Sequence, residues 1–295
     1  MKLYSTISSN KWKTWIIMIL FVVFITTIVY VMSKAFGLSS VGMAGLALVL
    51  AGLMSVGSYY YSDKLVLATS GARPATKQEF PKYFRTVENL SIGVGLPMPK
   101  AYVIDDRSPN AFATGRDPKH AVVAATTGLL EMMSETELEG IIAHELSHIK
   151  NFDIRLMGVV AVLVGFVAIL SDLFIRATFF RDSDDNRGNA IFLIVAIILA
   201  ILSPIAAMLI QMAISRKREY LADASGVLIT RYPEGLAGAL EKLKNDHTAP
   251  RSASNATAHL FIENPFDNKK VKNLFTRLFN THPPLEERIK ILRSM

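Results

Sequence analysis

Ile141-Ile142-Ala143-His144-Glu145-Leu146-Ser147-His148 is the stretch that decides how the rest of this chain reads. On a helix, residues four apart sit one above the other, so His144 and His148 can hold one metal ion from two sides. Glu145 lies a single step round the cylinder. Neutral imidazole suits zinc, and a carboxylate beside a zinc-activated water can take its proton; this is the metallopeptidase pattern. With six histidines in 295 residues, shuffling would give on the order of 0.005 such matches. The bland alternative is a charged surface helix that happens to carry two histidines, and the rarity of the match weighs against it.

Working outward, Ser134 with Glu137 three residues on is a capping box that starts this helix. Its charges (Glu135, Glu137, Glu139, Lys150, Asp153 and Arg155) place it in water. Upstream, Tyr83, Val87 and Leu90 form a helical stripe ending at the Gly93-to-Pro97 breaker. Strand-like runs follow at Ala101–Ile104, Ala111–Thr114 and Ala121–Ala124. The segment Arg116–His120 is the turn between the last two, which implies a small antiparallel sheet.

Further out the character changes. The chain is 51% hydrophobic, and the surplus sits in long uncharged runs at 14–33, 35–62, 156–171 (extending to about Ile175) and 189–215. Roughly twenty such residues span a bilayer. The first run could be taken for a signal peptide, because Ser33-Lys34-Ala35 loosely fits a cleavage site. However, it is longer than the roughly 7–15 apolar residues of such a peptide and a second run follows at once, so an uncleaved helix is expected. In the second run Ala47, Ala51 and Ser55 recur every four positions, as at close helix crossings in membranes. Tyr59, Tyr60 and Tyr61 stand where an aromatic belt would lie. A polar loop, Arg176–Gly188, separates the last two runs.

The expected architecture is a mostly α, α+β membrane protein: four transmembrane helices plus a zincin-like catalytic domain with a small antiparallel sheet. The segments are a hairpin of spans (1–62), a first catalytic part (63–155), a second hairpin (156–214) and a second catalytic part (215–295). Lys2, Lys11, Lys13, Lys64, Lys150, Arg155, Arg216, Lys217 and Arg218 flank one side of these spans, against Lys34, Arg176, Arg181 and Arg187 on the other. The positive-inside rule then puts both termini and the metal motif in the cytosol. It also accounts for the net charge of +7 without nucleic acid. The absence of cysteine excludes disulfides, thiolate catalysis and Cys-bound zinc, so any metal rests on His and carboxylates.

Two histidines leave zinc short of its usual three protein ligands. Glu219 stands just beyond the fourth run, and two helices leaving the membrane side by side would bring it level with His148. Asp223, four residues on, could orient a ligand histidine through its second nitrogen. From spacing alone, an exposed acidic stripe balancing Arg216 and Arg218 is an equal alternative.

These motifs together resemble the HtpX-type heat-shock membrane zinc metalloproteases, of the same clan as the CAAX prenyl endoprotease. The likeness covers the whole chain, including Asn110–Gly115, Ala143–His148, Glu219 with Asp223, and Thr281–Arg288. It implies one zinc per chain held by His144, His148 and Glu219, with Glu145 as base. It further implies Asp223 behind the ligands, paired with Arg288, and His282 near the substrate carbonyl. Asn110, Ala111, Phe112 and Ala113 would form an open edge that docks an extended polypeptide. Read without the resemblance, His282 is a solvated or capping residue and Asn110–Gly115 an ordinary strand. The implied substrates are damaged membrane proteins cut in their cytosolic parts, under heat or envelope stress in the plasma or inner membrane. The lipid bilayer is a partner, and the resemblance also allows other membrane proteases. His120, His247 and His259 are expected at the surface. A prenyl endoprotease needs more spans, an intramembrane protease would bury the motif in a span, and a zinc-binding scaffold would not require Glu145.

Overall fold

The computed structural model describes residues 2–35, 39–179, 216–246, 248 and 283–295. Two long helices open the chain, α1 (Lys2–Ala35) and α2 (Ser40–Thr69). Both are long and apolar enough to cross a membrane, over Ile7–Tyr30 and Ser40–Thr69. They pack as a hairpin, with Ala47, Ala51, Ser55, Ser58 and Ser62 on the buried face of α2 and large apolar side chains such as Leu46, Val49 and Leu53 exposed. Small residues inward and bulky apolar residues outward is the pattern of a helix in lipid. Trp15 stacks on Tyr59 at 6.0 Å where the helices approach the polar part of the molecule. α2 continues past the expected end at 62 to Thr69.

The helix α3 (Pro81–Val94) follows, opened by proline and closed by Gly95 in the left-handed region (φ 70°), where a side chain would be strained. The sheet contains β1 (Arg73–Pro74), β2 (Lys100–Ile104), β3 (Ala111–Thr114) and β4 (Val122–Thr126) in the order β1-β2-β4-β3. It is mixed and not purely antiparallel as expected. β3 and β4 form the anticipated hairpin through a 3-10 turn at Pro118–His120, whose N–H groups are capped by Asp117. β2 pairs parallel with β4, Lys100 opposite Val122. The reason is the 105–110 link, folded on Asp106: Ser108 N–H donates to its carboxylate (3.0 Å) and Gly128 N–H to its carbonyl (2.9 Å). That link carries the chain past one strand position, and β4 returns into the gap. The two-residue β1 had no signal in the sequence.

After a short α4 (Thr127–Met132) comes α5 (Glu135–Lys150), the metal-motif helix, with the Ser134–Glu137 capping box in place. From Leu138 to Ile149 all but Glu139 are buried. α5 lies under the sheet in a core that includes Tyr83, Val123, Leu146 and Leu240. A fully buried aliphatic or aromatic side chain of this kind contributes about 1.5–3 kcal/mol. The chain then turns sharply at Asn151 and Phe152, which has φ 59°, before α6 (Asp153–Phe179). α5 and α6 are thus two helices with an elbow between them, not one rod leaving the membrane. α6 also passes through Arg176, the expected start of a loop. Leu156, Val160 and Leu163 of α6 pack on Ile17 and Phe21 of α1.

The remaining elements are α7 (Arg216–Thr230), α8 (Pro233–Asn245) and α9 (Leu285–Leu292). α7 and α8 pack on α5, and α9 packs on both. The expected fourth span, 189–215, lies outside the described residues, as do His282, His247 and His259.

Candidate metal centre

α5 presents His144 and His148 on one face, and α7 brings Glu219 to them. All three are buried, at 3–4% exposure. His144 Nε2 and His148 Nε2 stand 3.2 Å apart. One Glu219 oxygen (Oε2) is 3.7 Å from His144 Nε2, and the other (Oε1) is 3.6 Å from His148 Nε2. Ligands about 2.0–2.2 Å from a tetrahedral zinc lie about 3.3–3.6 Å from one another, so the observed triangle has the size a single ion requires.

The outer nitrogens explain why the inner ones face each other. His148 Nδ1–H donates to Asp153 Oδ2 at 3.0 Å, and His144 Nδ1 lies 2.9 Å from Asp223 Oδ1. With His148 Nδ1 bonded to one carboxylate and His144 Nδ1 set against another, both Nε2 atoms and the Glu219 carboxylate converge on one point. A cation resolves that arrangement, and the donor set fits one. The charge balance tells the same story. Burial alone would lower the His148 pKa, but its hydrogen bond to Asp153 and the charges of Glu219, Asp153 and Glu145 outweigh it and raise it to about 9.

Asp223 is in turn gripped by Arg288 of α9, whose Nε and Nη2 donate to its two oxygens at 2.8 and 2.6 Å. Burial would raise the Asp223 pKa, yet Arg288 and His144 hold the carboxyl below its usual range. Arg288 Nη1 also lies 3.6 Å from Glu219 Oε2. The structure therefore brings together five of the residues singled out in the sequence: His144, His148, Glu219, Asp223 and Arg288.

Glu145 lies next to this triangle on α5, close enough for the charges of His144, His148 and Glu219 to act on its carboxylate. It is buried, and burial raises its pKa above the usual carboxylate value. It accepts a hydrogen bond from the backbone N–H of Ala113, so β3 lies against this carboxylate. β3 ends the sheet, but Ala111, Phe112, Ala113 and Thr114 are all buried, and Asn110 is buried beside them with its N–H on Thr126 Oγ1 (2.9 Å). The edge is therefore not open to solvent as expected. His120 is a half-exposed partner of Asp117 (2.7 Å), away from the centre.

Asp153 was missed. In the sequence it counted as one of the charges that placed the helix in water, whereas it is wholly buried behind His148. The only sequence signal is its position five residues after His148, one turn beyond the second ligand.

A buried His-His-Glu centre with a separate carboxylate on the next residue, hung from long apolar helices, defines a membrane-bound metallohydrolase. Comparison with known proteins narrows this. Residues 77–295 match the model of peptidase family M48. The chain is 45% identical over 298 residues to a Protease HtpX homolog of Tropheryma whipplei (strain Twist), covering 99% of this chain and 98% of the relative. It is 46% identical over 296 residues to a Protease HtpX homolog of Dictyoglomus thermophilum, covering 99% and 94%. The chain belongs to peptidase family M48, and it is a membrane-bound metalloprotease that hydrolyses peptide bonds. Among solved structures, S. mikatae Ste24p aligns with 95% of this chain and 66% of its own at 18% identity and a TM-score of 0.49.

Proposed function

We propose that the chain is a zinc-dependent endopeptidase that cuts the cytosolic parts of misfolded or damaged membrane proteins under heat or envelope stress. The single observation carrying the chemistry is the convergence of His144 Nε2, His148 Nε2 and a Glu219 oxygen within 4.8 Å of one another. His144, His148 and Glu219 hold the metal, and two imidazoles with one carboxylate are a zinc-type donor set. Zinc, when bound, supplies a Lewis acid that acidifies water and polarises a carbonyl. Glu145 takes the proton from the attacking water and passes it to the leaving amine. Its raised pKa suits a group that must hold that proton between the two steps. Asp223 and Arg288 keep His144 and Glu219 in place. His282, outside the described residues, is assigned to the developing oxyanion.

The contact between Ala113 and Glu145 supports docking of substrate along β3, because a strand added there would lie beside the base. Its burial means the neighbouring helices must give way for a polypeptide to enter. A membrane-anchored enzyme meets membrane proteins at high local concentration, which favours them as substrates.

Glu145→Gln and Glu219→Gln separate the two carboxylates. Glu145→Gln should retain zinc and lose turnover by about 10²–10⁴-fold. Glu219→Gln should lose zinc and activity together, with partial recovery on added zinc. Metal analysis and cleavage of a membrane-protein substrate by both purified variants decide. A fully active Glu145→Gln enzyme removes the mechanism, and a zinc-replete, active Glu219→Gln removes Glu219 from the site.

Four spans with both termini and the active site in the cytosol follow from the lysine and arginine asymmetry. The chain has no cysteine, so single cysteines report cleanly. One replacing Ser183 should react with an impermeant thiol reagent from outside intact cells, and one replacing Ser254 should not. Equal labelling rejects this orientation.

A further inference from the structure

The elbow between α5 and α6 is held by the first membrane helix. Asn10 of α1 is 2% exposed and sends its amide N–H groups to two places on that elbow: the carbonyl of Asn151 (3.0 Å) and Asp153 Oδ1 (2.6 Å). The other Asp153 oxygen accepts the hydrogen bond from His148 Nδ1. Next to Asn10, Lys11 lies over the Phe152 ring at 4.5 Å, on the left-handed residue of the turn. Asp153 has no exposed surface, and Arg218 of α7 approaches the same Oδ1 only at 3.8 Å. A buried carboxylate needs donors on both oxygens, and the close donor to Oδ1 is the neutral amide from the membrane hairpin. Asn10 lies at the start of the first apolar helix, beside Lys11 and Lys13. A buried amide there is costly unless it has defined partners.

We propose that Asn10 is a positioning residue of the metal site: it fixes Asp153, which fixes the His148 imidazole, so the first membrane helix is a working part of the peptidase and not only an anchor. The proposal rests on the reading of His148 as a zinc ligand. A carboxylate behind a metal-bound histidine typically contributes 10–100-fold in affinity or activity, and Asn10 acts through that carboxylate.

The test is zinc loss to excess chelator from the full-length protein in detergent, followed beside thermal melting. Asp153→Asn should speed zinc loss by about 10–100-fold, and Asn10→Leu, similar in size but without donors, by about tenfold. The double variant should lose zinc no faster than Asp153→Asn alone, within about twofold, because both act along one path. Ile17→Ala, which loosens α1 against α6 without touching the elbow, should lower the melting temperature and leave zinc loss unchanged. Normal zinc retention in Asn10→Leu, multiplied effects in the double variant, or equally fast loss from Ile17→Ala would each overturn the inference. His148→Ala is the reference. If it keeps zinc, the metal-site reading itself fails; if it loses zinc while Asn10→Leu does not, only the role of Asn10 fails.

Discussion

The two histidines of the candidate metal centre, both on α5, are held from opposite sides by unlike means. Behind His144 stands a full ion pair, Asp223 with Arg288, contributed by α7 and α9 of the water-facing part and closed by two hydrogen bonds at 2.8 and 2.6 Å. Behind His148 stands Asp153, whose close partner is a neutral amide from a membrane helix, with a cation farther away at 3.8 Å. A buried ion pair is weak evidence for stability, because desolvation offsets much of its attraction. Its presence behind His144 is better explained by geometry: one guanidinium spans Asp223 and Glu219 and so ties Glu219 to the group that holds the His144 ring. On the His148 side Arg218 of α7 stands 3.8 Å from Asp153 and also feels the charge of Glu219, but the close donor to Asp153 comes from the membrane hairpin, so the alignment of His148 depends also on how that hairpin sits.

The sharpest way to break this comparison is Arg288→Met. It leaves Asp223 buried without its guanidinium, and breaking a buried pair this way costs about 3–5 kcal/mol. Asp223 has a depressed pKa in the folded protein, so its stabilisation is present above the unfolded value of about 3.9 and lost as pH falls through the folded one. The difference in melting temperature between variant and parent should therefore be largest near pH 7 and shrink towards pH 3. A pH-independent difference would mean that Arg288 acts through packing alone.

A smaller effect sharpens the same point. α7 passes α5 so closely at Gly226 that an added Cβ would meet His144 N at 3.2 Å and Ala143 C at 3.4 Å. Gly226→Ala gains helix propensity of up to about 1 kcal/mol, yet it must push Glu219 and Asp223 away from His144 by a few tenths of an ångström. Melting should shift little while zinc loss quickens several-fold. Unchanged zinc retention would show that the His144 side tolerates movement and that its ion pair is not there for alignment.

The parts of this arrangement legible in the sequence are those written locally. The spacing of His144, Glu145 and His148, the Ser134–Glu137 cap and the Arg116–His120 turn each lie within one element, where periodicity and side-chain reach decide the outcome. Glu219 and Asp223 were open between ligand and surface stripe on spacing alone, because their meeting with α5 depends on packing across the intervening 156–214. Asp153 was misread for the same reason: its hydrogen-bond partner Asn10 is 143 residues away, and a charge count along the chain assigns such a residue to water. The elbow carries no glycine or proline, and Phe152 is an unusual residue for a positive φ, so the local marks of a break are only Asn151 and the basic His148 and Lys150 before it. The parallel pairing of β2 with β4 depends on how the 105–110 link folds around Asp106, again a contact and not a pattern.

The weakest predicted effect lies at the other end of α5. Lys242 of α8 donates to Glu137 Oε2 at 2.6 Å and to the Met132 carbonyl at 3.1 Å. Its side chain is 43% exposed and that of Glu137 is 14% exposed. Burial pushes the Glu137 pKa up, but Lys242 and the Ser134 cap pull it further down, leaving it below the usual range. Its contribution is therefore present at neutral pH and lost as pH falls through that lowered value. Exposed pairs contribute about 0.2–1 kcal/mol and are screened by salt. Lys242→Met should accordingly cost no more than that at pH 7, less still at high ionic strength. Turnover and zinc retention should stay at parental values, since Ser134 still caps the helix. A variant that loses zinc would show that alignment of the ligands reaches the solvent end of α5. The contrast between an ion pair that aligns the metal site and one that merely decorates the surface would then have to be abandoned.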